Sequence, residues 1–204
     1  MPANLLELPA ELRIRIFELV LLAPAPIALE KRHCHPGEQK PEVSLLRVNK
    51  KMSSEATPFF YGQNEFQFTY SPTRKETASF LDRMGRNATL IRSIYLYMDF
   101  PILTRRHGLR ATIDHEATSY LSILPRKCIN VRTLTLSKSF FVGINYATGS
   151  SHSDQLREAL DACNTNFRAF PLMEDIFIDS WTDTAFRHAR DEIAKMGWKV
   201  KQNQ

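Results

Sequence analysis

Apolar residues recur at helical spacing at the start of the chain. At about 100° per residue, Leu12, Ile16, Leu19 and Val20 share one stripe, and Ile14, Phe17 and Leu21 share a second. Glu11, Arg15 and Glu18 occupy a narrow polar strip, and Arg13 lies between the two stripes. Leu8-Pro9-Ala10-Glu11-Leu12 supplies a helix start, because proline lacks an N–H that would have no partner there and Glu11 suits the positive end of the dipole. The pattern predicts a helix running to about Leu22 and stopping before Pro24. A surface helix needs one apolar stripe about 100° wide, and this one carries two. Either it is buried centrally in its own domain, or one stripe packs inward while the other meets a partner protein. A second helix is expected from about Ser44, with Leu45, Val48 and Met52 at helical spacing and Lys50, Lys51 and Glu55 outward. Pro58 should kink or end it, and Phe59-Phe60-Tyr61-Gly62 closes the unit.

After Gly62 the period changes. Strands are expected over 65–70, 92–98, 131–136, 175–179 and 198–201, where β-branched or aromatic residues alternate with polar ones. Between them, Thr73 and Glu76 have capping-box spacing, Asp114 can cap a helix carrying Ala117, Tyr120, Leu121 and Leu124, and Leu156, Ala159, Leu160, Cys163, Phe167 and Phe170 form the best stripe. A last helix presents Phe186, Ala189, Ile193 and Met196 and ends at Gly197. Alternating strand and helix calls for parallel strands joined by crossovers. Strands covered on both faces would be almost continuously apolar. These alternate instead, which suggests helices on one face and an irregular, leucine-rich-repeat-like arrangement. A small two-layer α/β domain is the competing arrangement. An open face would carry Gln67, Tyr95, Tyr97, Thr133, Thr135 and Phe177, with Tyr95, Tyr97 and Phe177 as anchors for a protein target, unless other elements cover it.

Composition narrows the classes. A chain of 204 residues with 43% hydrophobic and 24% charged residues is an ordinary globular one. No apolar run approaches the roughly 18 residues of a membrane span, and the uncharged Met1-Pro2-Ala3-Asn4 does not read as a secretory leader. Three widely spaced cysteines, Cys34, Cys128 and Cys163, argue against a disulfide framework and for a reducing, cytoplasmic or nuclear setting. A net charge of +5 attracts acidic partners but is too small to identify a nucleic-acid binder.

Two segments together carry a family likeness. Residues 5–21, Leu-Leu-Glu-Leu-Pro-Ala-Glu-Leu-Arg-Ile-Arg-Ile-Phe-Glu-Leu-Val-Leu, and residues 45–68, which include Leu-Leu-Arg-Val, Glu-Ala-Thr-Pro and Phe-Tyr-Gly-Gln-Asn-Glu-Phe, resemble the fungal F-box-like proteins. The resemblance covers about the first third of the chain. It implies a helical module at 1–62 that docks on a Skp-type adaptor of a cullin ubiquitin ligase, through Leu8, Pro9, Leu12 and Ile16, with Leu46 and Val48 from the second helix. The chain departs from the family in the insertion at 24–43 and in closing with Phe60-Tyr61 rather than a tryptophan. The expected fold is thus α/β, with the F-box-like helical module followed at 63–204 by the leucine-rich-repeat-like region with mainly parallel strands. The expected function is that of a non-enzymatic adaptor, possible rivals being a scaffold that recruits no ligase and a weakly basic nucleic-acid binder.

Catalytic patterns are not found. Seven glycines form no phosphate-cradling loop. His33-Cys34-His35 lacks a second ligand pair for zinc, and Ser151-His152-Ser153-Asp154 reads as a helix entry because triad groups converge from separate elements. Neither metal nor cofactor is expected. Arg105-Arg106-His107 with Arg110 is the densest basic run, to be read as a solvated loop or a contact for phosphate or an acidic partner.

Overall fold

A computed structural model describes residues 5–28, 41–70, 75–98, 103–105, 111–113, 115–140, 153–179 and 187–201. After a 3-10 turn at Leu5–Glu7, helix α1 spans Ala10–Leu21 and strand β1 spans Ile27–Ala28. A 3-10 helix at Val43–Arg47 leads to α2 (Lys50–Gln63) and β2 (Glu65–Tyr70). Then come α3 (Lys75–Met84), a 3-10 helix at Gly85–Leu90, β3 (Ser93–Met98), and the short strands β4 (Leu103–Arg105) and β5 (Ala111–Ile113). The chain continues through α4 (His115–Lys127), β6 (Thr133–Leu136), α5 (Ser153–Phe167), β7 (Asp175–Ile178), α6 (Arg187–Lys195) and β8 (Lys199–Val200).

Six strands form one sheet in the order β1-β2-β3-β6-β7-β8, and each neighbouring pair is parallel. Strands β4 and β5 form a separate antiparallel pair, one on each side of residues 106–110. The order follows the chain without reversal, so the described strands create no switch-point crevice of the kind that binds nucleotides in doubly wound sheets.

One face of the sheet is apolar. Phe66 and Phe68, Ile94 and Leu96, Leu134 and Leu136, and Ile176 and Ile178 are all buried. They join Leu81, Leu124, Leu160, Phe167 and Ile193 from the helices in a single core. At about 2 kcal/mol or more for each large side chain fully removed from water, this layer dominates the favourable side of folding.

The same core includes Phe17 and Leu21 of α1 and Met52, Ala56 and Phe60 of α2. This corrects the expected architecture. A separate F-box-like helical module followed by a leucine-rich-repeat-like region is overturned by one α/β domain with a continuous parallel sheet. The physical reason lies in the first 62 residues. Ile27–Ala28 pairs with Phe66–Gln67 as the first strand, and the ring of Phe60 packs edge-on to Phe66 at 5.6 Å. Helix α2 therefore buries its inner face against the sheet's own residues, and Phe17 and Leu21 of α1 join the same core beside it.

Two local expectations also change. Helix α2 begins at Lys50, not near Ser44, because the Asn49 side chain accepts the Met52 N–H at 2.8 Å and caps it there. Pro58 does not end it. The residue is exposed, so the carbonyl it leaves unbonded one turn earlier, at exposed Ser54, faces water.

Candidate functional site

Helices α1 and α2 lie side by side and run in the same direction. The guanidinium of Arg13 donates to both Glu55 carboxylate oxygens at 2.7 and 3.1 Å, the rings of Phe17 and Phe59 sit 5.8 Å apart, and Asn64 bonds the Leu21 carbonyl. Arg13 also donates to the Leu8 carbonyl at 2.5 Å, which ties the turn before α1 to the same ion pair. Pro9 stands at the N-cap, its carbonyl accepting the Leu12 and Arg13 N–H groups. Asn64 is buried. Its amide donates to the Leu21 and Phe60 carbonyls and its oxygen accepts the Ala23 N–H, so one side chain closes the ends of both helices.

This bracing decides which stripe of α1 faces out. Phe17 and Leu21 are buried. Leu12 is 51% exposed and Leu19 75%, and Ile16 between them is half-exposed. Their i, i+4, i+7 spacing is that of helix anchors in protein grooves. Ile14, placed with the inward stripe by periodicity, is exposed. Residues 42–49 extend the surface. The Glu42 N–H donates to the Val20 carbonyl at the far end of α1, and Asn49 caps α2 at the near end. Between them Val43 and Val48 are exposed. Of the residues expected to bind a partner, Pro9, Leu12 and Val48 are exposed and Leu8, Ile16 and Leu46 half-exposed. Leu46 packs on the core, so it supports the surface more than it presents one.

The other sheet face forms a second constellation. Tyr95, Tyr97 and Phe177 are half-exposed there, as are Gln67 and Thr133, but Thr135 is buried. Its hydroxyl donates to Glu65 at 2.5 Å, and the Lys201 ammonium donates to both oxygens of the same carboxylate at 3.0 and 3.1 Å. Glu65 starts β2 and Lys201 follows β8, four strand spacings away. In a flat sheet that is about 19 Å, more than the two side chains can bridge, so the sheet curls toward this face. Lys199 and Lys201 stand 5.7 and 5.8 Å from the Phe177 ring centroid, and Lys199 pairs with Asp175. Periodicity could not show these contacts. Only the acid at the head of β2 and the lysines around β8 hinted at them.

Tyr95 donates to Asp179 at 2.8 Å. Burial first, then the Asp179 bond and charge, with smaller effects of Glu65 and Tyr97, hold its phenol well above the usual tyrosine range. The neutral phenol therefore stabilises the fold fully below the unfolded value of about 10, and that contribution is lost as pH rises further. Phenolate absorbance near 295 nm should show a late step that Tyr95→Phe removes and Asp179→Asn moves to lower pH. A titration unchanged by either substitution would contradict this geometry.

Burial pushes the Cys128 thiol up to about 12 and raises Cys163 further, so both stay protonated near neutral pH and are poor nucleophiles. Among the described residues no three of His, Cys, Asp and Glu gather as metal ligands, and no helix is long and apolar enough to cross a membrane. His33-Cys34-His35, Ser151-His152 and the 106–110 basic run lie outside the described residues.

The fold and these surfaces define an α/β domain with a braced, outward apolar helix at one edge and a polar, aromatic sheet face. Comparisons with protein-family models, curated proteins and solved structures found no match.

Proposed function

We propose that this chain is a non-enzymatic interaction protein that docks a partner protein on the outward stripe of α1. The observation that carries the reading is that Leu12 and Leu19 are exposed and Ile16 half-exposed between them, while Phe17 and Leu21 on the opposite side of the same helix are buried. An exposed aliphatic row contributes little to folding, and helix–groove recognition uses this spacing. The partner to try first is a Skp-type adaptor of a cullin ubiquitin ligase, which the likeness of residues 5–21 and 45–68 implies. Tyr95, Tyr97 and Phe177 would then be available to a target protein.

Leu12→Asp/Ile16→Asp tests the reading. The pair is expected to weaken adaptor binding at least 100-fold by calorimetry, since anchor residues contribute about 2 kcal/mol or more each, while thermal stability falls only slightly. Failure of folded wild-type protein to co-purify with the adaptor would remove the ligase reading and favour a scaffold that recruits no ligase.

A further inference from the structure

Three loops lie side by side at the end of the sheet where the strands begin. The Asn130 amide donates to the Thr89 carbonyl at 2.7 Å, joining the loop before β6 to the one before β3. The Arg132 N–H bonds the Arg92 carbonyl and the Glu174 N–H bonds the Arg132 carbonyl, both at 2.9 Å, which sets the loop before β7 alongside. Each loop exposes basic residues. Arg86 and Arg92 belong to the first, Arg126 and Arg132 flank the second, and Arg168 opens the third, all exposed. The acids nearby are engaged: Asp82 with Lys127 at 2.8 Å and Glu174 with Arg132 at 2.7 Å. Arg86, Arg92, Arg126 and Arg168 have no acidic partner among the described residues.

The fold explains only part of this. Arg126 and Arg168 end helices, where positive charge suits the dipole. Arg92 and Arg132 do not. They enter neighbouring strands in register, because Ser93 pairs with Thr133, and like charges directly opposite across a sheet are destabilising. Two aliphatic side chains sit among them on equivalent loops, Ile129 at 44% exposed and Leu172 at 46%. Arginine is enriched at protein interfaces and the exposed aliphatic pair offers apolar area for a protein partner to cover, whereas a phosphate-backbone site would have no use for that pair.

We infer that this rim is a second docking surface, distinct from α1, for an acidic protein segment that carries aliphatic side chains. Carboxylates meet the unpaired arginines, and leucine-like side chains cover Ile129 and Leu172. It stands independently of the α1 reading.

The test uses the full chain and a labelled 16-residue peptide of alternating glutamate–aspartate and leucine, with polyglutamate and a 30-nucleotide single strand as competitors. Binding is expected in anisotropy, at least tenfold weaker for Arg92→Glu/Arg168→Glu and severalfold weaker for Ile129→Ser/Leu172→Ser. Polyglutamate should compete poorly. Because these side chains are exposed, circular dichroism should be unchanged; if the charge reversal unfolds the chain, Arg86→Gln/Arg126→Gln supplies the same comparison. Absence of peptide binding at 50 mM salt, equal affinity in all variants, or tighter binding of the oligonucleotide would each overturn the proposal.

Discussion

Asn64→Ala is expected to destabilise the protein by about 3 kcal/mol in urea unfolding. The side chain is buried and satisfies three backbone groups at 2.8 to 2.9 Å: the carbonyls of Leu21 and Phe60 and the N–H of Ala23. Each buried polar group left without a partner costs about 1–3 kcal/mol. The Phe60 carbonyl keeps the backbone N–H of residue 64, so two groups lose their partner at a summed cost of about 2–6 kcal/mol, of which water entering the vacated space recovers part. The change leaves the outward stripe of α1 untouched. Its consequence for docking would come through loosening of the end of α1, not through lost contacts.

A larger loss is expected from Phe167→Ala, about 4 kcal/mol and roughly 10 °C in melting temperature. Phe167 is wholly buried at the end of α5. Its ring centroid lies 5.8 Å from those of Phe140 and Trp198. Trp198 is anchored by its indole N–H to Asn164 at 2.9 Å, and it holds the two-residue strand β8 against the sheet. Removing the central ring leaves a cavity that the flanking aromatics cannot fill without breaking that bond. Phe167→Leu keeps most of the volume and should cost less than half as much. Equal losses for the two substitutions would contradict the packing described.

Much of the local structure was legible because it rests on nearest-neighbour chemistry. Proline at position 9 marked the start of α1, and the two stripes distinguished by periodicity differ in burial, with Ile14 the exception. The alternation in 92–98 and 175–179 placed Ile94, Leu96, Ile176 and Ile178 on the buried side. What was not legible depends on contacts between distant residues. Ile27–Ala28 is too short to signal a strand and becomes one only by pairing with β2. An amphipathic helix looks the same whether it packs on another helix or on a sheet, so the inner faces of α1 and α2 concealed their place in the common core. The likeness at residues 5–21 and 45–68 encouraged the separation that the sheet overturns. At the candidate site, spacing placed Leu12 and Ile16 on one stripe, but which of the two stripes faces out depends on the packing of α1 against α2 and was not in the spacing. The Glu65–Lys201 contact joins the head of β2 to the residue after β8, strands four spacings apart in the sheet, and no local pattern encodes it.

The central claim is that α1 and α2 are built into one cooperative domain, which is what holds one stripe of α1 inward and the other outward. The direct measurement is urea unfolding of Asn64→Ala in a Trp181→Phe background, followed by Trp198 fluorescence at the far edge of the sheet. A single domain predicts that the Trp198 transition shifts to lower urea by the same amount as the helical circular-dichroism transition. A Trp198 transition left at the position of the protein with Asn64 intact, while the helical signal alone shifts, would contradict it.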